Sequence, residues 1–138
     1  MIRFPLRAYD ALVEHALDSA PEECCGILTG SREGKTDLVE AIHRTANVAD
    51  APRTTYEVDP VQQLAIMSER EERGKSVLGF YHSHPAGPAS PSPTDRERAT
   101  WPNHTYVIVS LEGAHPFVGA WHLSDDGFEP VVVAVDSP

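Results

Sequence analysis

Gly79-Phe80-Tyr81-His82-Ser83-His84-Pro85-Ala86-Gly87-Pro88-Ala89-Ser90-Pro91-Ser92-Pro93-Thr94-Asp95 is the stretch whose reading decides the rest of this chain. It opens on an apolar run with aromatic character, Val77, Leu78, Phe80 and Tyr81, which predicts a strand. The proline- and glycine-rich segment behind it lacks the ladder donors to continue that strand and is read as irregular. A helix then begins: Ser92 has the chemistry of an N-cap, Pro93 stands at the first helical position, and Asp95 falls in the first turn.

This spacing carries chemistry. His82 and His84, two apart on a strand, project from one face where the strand ends. Ser92 and Asp95, three apart at a helix start, share a side. A loop that turns back between them brings two imidazoles and a carboxylate around one point with a coordination position left open, the donor set of a catalytic zinc site. Calcium and magnesium are poor candidates, because histidine is the wrong ligand for hard cations. Two other readings use the same residues. Ser92-x-x-Asp95 is an ordinary capping box, with the histidines merely polar residues at a strand end; and two histidines with a carboxylate also form the facial triad of non-haem Fe(II) oxygenases, which spacing does not separate from zinc. Against the capping-only reading, these four residues at these positions arise by chance on the order of once in a thousand such chains.

His-x-His, seven residues, Ser, two residues, Asp resembles the signature of the JAMM (MPN+) metalloproteases, which cleave isopeptide or peptide bonds next to ubiquitin-like proteins. That family also carries an upstream glutamate in a Glu-x-Cys-Gly segment leading into a strand. Here Pro21-Glu22-Glu23-Cys24-Cys25-Gly26-Ile27-Leu28-Thr29-Gly30 is similar to it and implies Glu23 for the role, with Glu22 as the neighbouring alternative. The resemblance extends over nearly the whole chain. It implies an MPN fold, Zn²⁺ bound by His82, His84 and Asp95, Glu23 as general base, and Ser92 as oxyanion donor if its hydroxyl faces the metal rather than the helix N–H groups. Without the insertions or long C-terminal helices of some eukaryotic members, the chain looks most like the small prokaryotic ones. The implied substrate is then the amide joining the C-terminal Gly-Gly of a β-grasp ubiquitin-like or sulfur-carrier protein to cysteine or another amine, its tail held in a groove by strand addition. A non-catalytic scaffold has no physical need for all five residues.

Working outward, Ile2 to Pro5 predicts a first strand and Leu6 to Ala20 a helix, with Tyr9, Leu12, Val13, Ala16 and Leu17 at helical spacing toward the core and His15 an exposed polar residue. Cys25 to Gly30 and Thr36 to His43 read as a hairpin turning near Gly34, with Cys25 a core residue. Residues 44 to 55 form a long polar loop, idle or a flap over the site. Tyr56 to Val58 reads as a brief strand, and Asp59-Pro60 caps a helix running to Arg73, with Val61, Leu64 and Ala65 on its apolar side. A short third helix stops at Pro102, and three strands close the chain: Thr105 to Ser110, Pro116 to Leu123, and Phe128 to Val135. The whole is an α/β single domain, a mixed sheet packed with helices. His43, His104, His115 and His122 lack ligand spacing, and Tyr81, Trp101 and Trp121 are core or groove-edge aromatics.

Composition sets the outer bounds. The 138 residues carry a net charge of −10, which argues against a nucleic-acid partner, since phosphate binding needs a basic stripe. No apolar run approaches the ~20 residues of a membrane span, and the N-terminus lacks the apolar core of a signal peptide. With only two cysteines, neighbours on a strand and so facing apart, the expectation is a reducing, cytoplasmic setting.

Overall fold

The computed structural model describes residues 1–137. In chain order its elements are β1 (Ile2–Pro5), α1 (Leu6–Ser19), β2 (Cys25–Glu33), β3 (Thr36–Thr45), α2 (Pro60–Glu72), β4 (Ser76–His84), α3 (Pro93–Arg98), β5 (Thr105–Ser110), β6 (Phe117–Ser124), β7 (Gly127–Val131) and β8 (Val133–Asp136). All eight strands form one sheet in the order β7-β6-β5-β4-β2-β3-β1-β8. It is mixed, as expected: β4 runs parallel to β5, and β1 parallel to both β3 and β8, while the other pairs are antiparallel.

Side chains alternate between the two faces of this sheet. Leu28, Tyr81 and Val107 point toward α1 and join Ile2, Phe4, Leu12, Leu78 and Val109 in the larger core cluster. Their neighbours Ile27, Phe80 and Tyr106 point the other way, into a small cluster with Ile66 of α2 and Trp101 at its edge. A bulge keeps this alternation useful. Leu28 pairs with Gly79 but Thr29 with Val77, so Leu78 is the extra residue in β4. The slip returns Phe80, and with it His82 and His84, to the face that Val77 shares. A side chain at Gly79 would run into the Thr105 carbonyl, 1.7 Å from its Cβ position, so glycine is needed where the strands approach.

Several expectations fail here. The strand read over 128 to 135 is two strands, β7 and β8, at opposite ends of the sheet order, broken at Val132, whose carbonyl accepts from Ile2 N; Pro130, without an N–H, suits β7 to an edge. α2 buries none of its residues, and Val61 and Leu64 are 77 % and 69 % exposed rather than packed. Leu17 is likewise exposed, while His15, expected at the surface, is buried, with Nδ1 2.6 Å from the Tyr81 hydroxyl; it sits one position from Ala16 on the buried stripe of α1. α3 ends at Arg98, before Trp101, because Ala99 leaves helical geometry as its C-cap. Residues 56 to 58 contribute only a single bridge, Asn47 to Val58.

Candidate metal centre

The site forms where β4 ends. His82 is fully buried and His84 nearly so, both on the face opposite α1. The chain then turns through Pro85–Pro91 into Ser92, where both halves of a capping box are present: Asp95 N donates to Ser92 Oγ at 3.0 Å, and Ser92 N to Asp95 Oδ2 at 2.9 Å. That cap orients the Asp95 carboxylate. Its Oδ2 lies 3.1 Å from His82 Nε2 and 3.0 Å from His84 Nε2, and the two Nε2 atoms lie 3.1 Å apart. The capping box and a carboxylate oxygen turned toward both histidines are therefore compatible in one structure.

Glu23 approaches from the segment just before β2, the strand beside β4. It is buried, unlike its neighbour Glu22, and its ligand atom lies with those of His82 and His84 inside a 4.8 Å cluster. Ser83, between the two histidines, sets this distance: its hydroxyl accepts from Cys24 N at 2.8 Å and its own N donates to Cys24 O at 3.1 Å, locking the residue after Glu23 to β4. Glu23 Oε1 is buried without a hydrogen-bond partner among the described residues.

The donor set fits a metal ion. Ligands about 2.0–2.1 Å from a tetrahedral centre lie about 3.3 Å from one another, close to the three separations in this site. His84 Nδ1 faces the Pro88 carbonyl at 2.6 Å and so carries the ring proton, leaving the Nε2 lone pair turned toward His82 Nε2 and Asp95 Oδ2. Three lone pairs converging in a buried space repel unless a cation lies between them.

Electrostatics act differently on each group of the site. Burial lowers the proton affinity of His82, keeping it neutral, as a ligand must be. Burial acts the same way on His84, but Asp95 and the Pro88 carbonyl outweigh it and raise its pKa. Burial alone would raise Asp95; the imidazoles of His82 and His84 against its Oδ2 outweigh burial and hold it well below the usual carboxylate range. Glu23 is pushed up to about 7, chiefly by burial. Cys25, buried under the same face, has its thiol pushed up to about 11 by burial and packs as expected.

Loop 46–59 borders the site. Arg53 and Thr54 line a cavity of about 450 Å³ with Glu23, His84, Ser92 and the Pro-rich turn. Tyr56 stacks on His82, ring centroids 4.2 Å apart and planes 19° from parallel. The Asn47 side chain holds the loop: Nδ2 donates to the carbonyls of Glu23 and Thr55 at 3.0 Å each, and Oδ1 accepts from Glu57 N at 3.0 Å. No local pattern in the sequence points to Ser83 or Asn47; at Tyr56 the signal is a lone aromatic beside a polar loop. Of the histidines left without a role, His43 is satisfied by Thr29 Oγ1 at 2.7 Å, and Trp121 Nε1 donates to Ala89 O.

A mixed sheet covered by helices, with two strand-end histidines, a capping-box aspartate and a buried glutamate at one point, defines the JAB class of domain. The chain belongs to the prokaryotic homologues of the JAB domain, whose family profile matches residues 5–124. It is 41 % identical over 136 residues to a desampylase from Haloferax volcanii, covering 94 % of this chain and 92 % of that one. It is 38 % identical over 106 residues to a CysO-cysteine peptidase from Mycobacterium tuberculosis, covering 77 % and 70 %. The solution structure of protein DSY2949 from Desulfitobacterium hafniense superposes with a TM-score of 0.91 at 30 % identity, covering 100 % of this chain and 94 % of that one. Among the described residues no helix is long and apolar enough to cross a membrane.

Proposed function

We propose that this chain is a single-domain zinc peptidase that hydrolyses the amide bond between the C-terminal Gly-Gly of a ubiquitin-like or sulfur-carrier protein and an amine. Relatives named as a desampylase and a CysO-cysteine peptidase support the reaction class. The observation that carries the mechanism is the buried, unpartnered Glu23 Oε1 beside two converging imidazoles. His82, His84 and Asp95 would hold Zn²⁺, which bound there supplies an electrophile for the scissile carbonyl and brings the pKa of a water to about 7.

Glu23 accepts a proton from the attacking water. Oxygen adds to the carbonyl carbon, the C–N bond breaks, and Glu23 returns the proton to the departing amine. A carboxyl held near 7 by burial suits both halves of that shuttle at neutral pH. The Ser92 hydroxyl already accepts the Asp95 N–H, which leaves its own proton to donate to the oxygen that becomes negative. Capping and oxyanion binding are compatible, because one uses a lone pair and the other the O–H; such a donor is worth roughly 3 kcal/mol of barrier. Two free cysteines suit a reducing compartment, and the cytoplasm is the setting we assign.

The test is metal analysis of protein purified without chelator, alongside hydrolysis of carrier-Gly-Gly amides by wild type and Asp95→Ala. Expected is about one zinc per chain in wild type, lost with turnover in the variant. Bound iron with oxygen-dependent chemistry, or no metal after zinc is supplied, overturns the reading.

A further inference from the structure

The two metal-facing histidines are held by different means. A ligating imidazole usually donates its outer N–H to a carbonyl or carboxylate, and this fixes the ring plane. His84 follows that pattern through the Pro88 carbonyl at 2.6 Å. His82 does not: its Nδ1 is buried with no hydrogen-bond partner among the described residues. Something else must stop the ring from rotating about its Cβ–Cγ bond, and the side chain lying flat against it is Tyr56.

We propose that Tyr56 is the positioning residue of His82, its stacked ring setting the imidazole plane that a hydrogen bond sets for His84. A face-to-face contact at 4.2 Å blocks rotation, since turning the imidazole drives its edge into the phenol ring. Tyr56 can impose this only if it is itself held, and its two neighbours are tied to one side chain. Asn47 Nδ2 donates to the Thr55 carbonyl and Asn47 Oδ1 accepts from Glu57 N, at 3.0 Å each. The same carboxamide donates to the Glu23 carbonyl, and Glu23 N donates to Pro52 O at 2.8 Å. Asn47 thus anchors the stacking ring and the backbone of the glutamate together. This inference rests on His82 being a ligand, and it deepens the function proposed above by giving loop 46–59 a part in holding the metal.

The test is zinc affinity, measured by competition with a chelator, and the visible spectrum of the Co²⁺-substituted protein, for wild type, Tyr56→Phe and Tyr56→Leu. Phenylalanine keeps the flat ring and should bind zinc within about twofold of wild type with the same Co²⁺ bands. Leucine keeps apolar bulk without a plane and should weaken zinc on the order of ten- to hundredfold, with altered bands, while the metal-free protein stays folded by circular dichroism. Wild-type affinity and bands in Tyr56→Leu overturn the proposal, as does equal weakening in Tyr56→Phe, which would move the role to the hydroxyl. Should Tyr56→Leu not fold, Asn47→Ala leaves the ring and releases both its neighbours; weaker zinc binding is then expected, and wild-type affinity overturns the proposal. A wild type that binds zinc yet hydrolyses no Gly-Gly amide sinks the function and leaves the role of Tyr56 readable from affinity alone.

Discussion

Along the end of β4 the residues alternate between two kinds of surroundings. Tyr81 and Ser83 point to the face beneath α1, where Ala8, Leu12, His15 and Ala16 are all buried and the larger core cluster lies. Phe80, His82 and His84 point to the face beneath α2, a helix of 13 residues that buries none of them. The first face is closed by a helix and carries the packing. The second is closed over the site by loops, Pro85–Pro91 and 46–59, and carries the chemistry. Separating the two lets polar side chains be buried where few apolar contacts depend on them.

Substitutions on the two faces should therefore fail in different ways. The largest effect is expected from Glu23→Gln, on the loop-covered face: kcat falls roughly 10²–10⁴-fold with zinc content unchanged. If turnover survives there and Glu22→Gln abolishes it, the proton carrier is the neighbouring glutamate. On the other face, Leu12→Ala should cost about 2–5 kcal/mol in denaturant unfolding and leave the kcat of the folded protein unaltered.

His15 tests the helix-covered face by pH. Burial, aided by Arg44, lowers its pKa from 6.5 to about 4. The unfolded chain takes up the proton first as pH falls, so the contribution of His15 is complete above about 6.5 and is lost progressively toward pH 4, up to about 3 kcal/mol in all. Wild type should lose more stability than His15→Gln between pH 7 and 4; equal losses would mean that the pair with Tyr81 is not closed to protons. The smallest effect belongs to Leu64→Ala on α2, within about 0.5 kcal/mol, because the side chain is already in water. A loss of 2 kcal/mol or more there would erase the contrast between the faces.

Much of this was legible in the chain and some was not, for reasons that differ by residue. His82, His84, Ser92 and Asp95 could be read because strand and helix periods and one capping box determine where their side chains go within 14 consecutive residues. Glu23 needed the family resemblance, since only the pairing of Cys25 with His82 brings β2 beside the histidines. Asn47 and Tyr56 act through the path of a loop, which no local period encodes. Val61 and Leu64 mark an apolar face of α2, but helical spacing does not say whether anything covers it. The break at Val132 was hidden because β-propensity marks a strand without saying which edge of a sheet it joins.

That break has a consequence for how substrates are chosen. β7 and β8 sit at the two ends of the strand order yet are consecutive in the chain, joined through Val132 alone, so the sheet must roll round until its ends meet. The strand that carries the histidines lies in the middle, with β2 on one side and β5 on the other, and neither of its backbone edges is open. β4 therefore offers no free edge for the strand addition expected of a bound tail, and a groove for one would have to be formed by connecting segments. Scaffold and recognition are thus only partly separate: Asn47, Tyr56 and Pro88 help to hold the site, while Arg53, Thr54, Ser90 and Pro91 of the same two segments line the cavity that an incoming chain would meet.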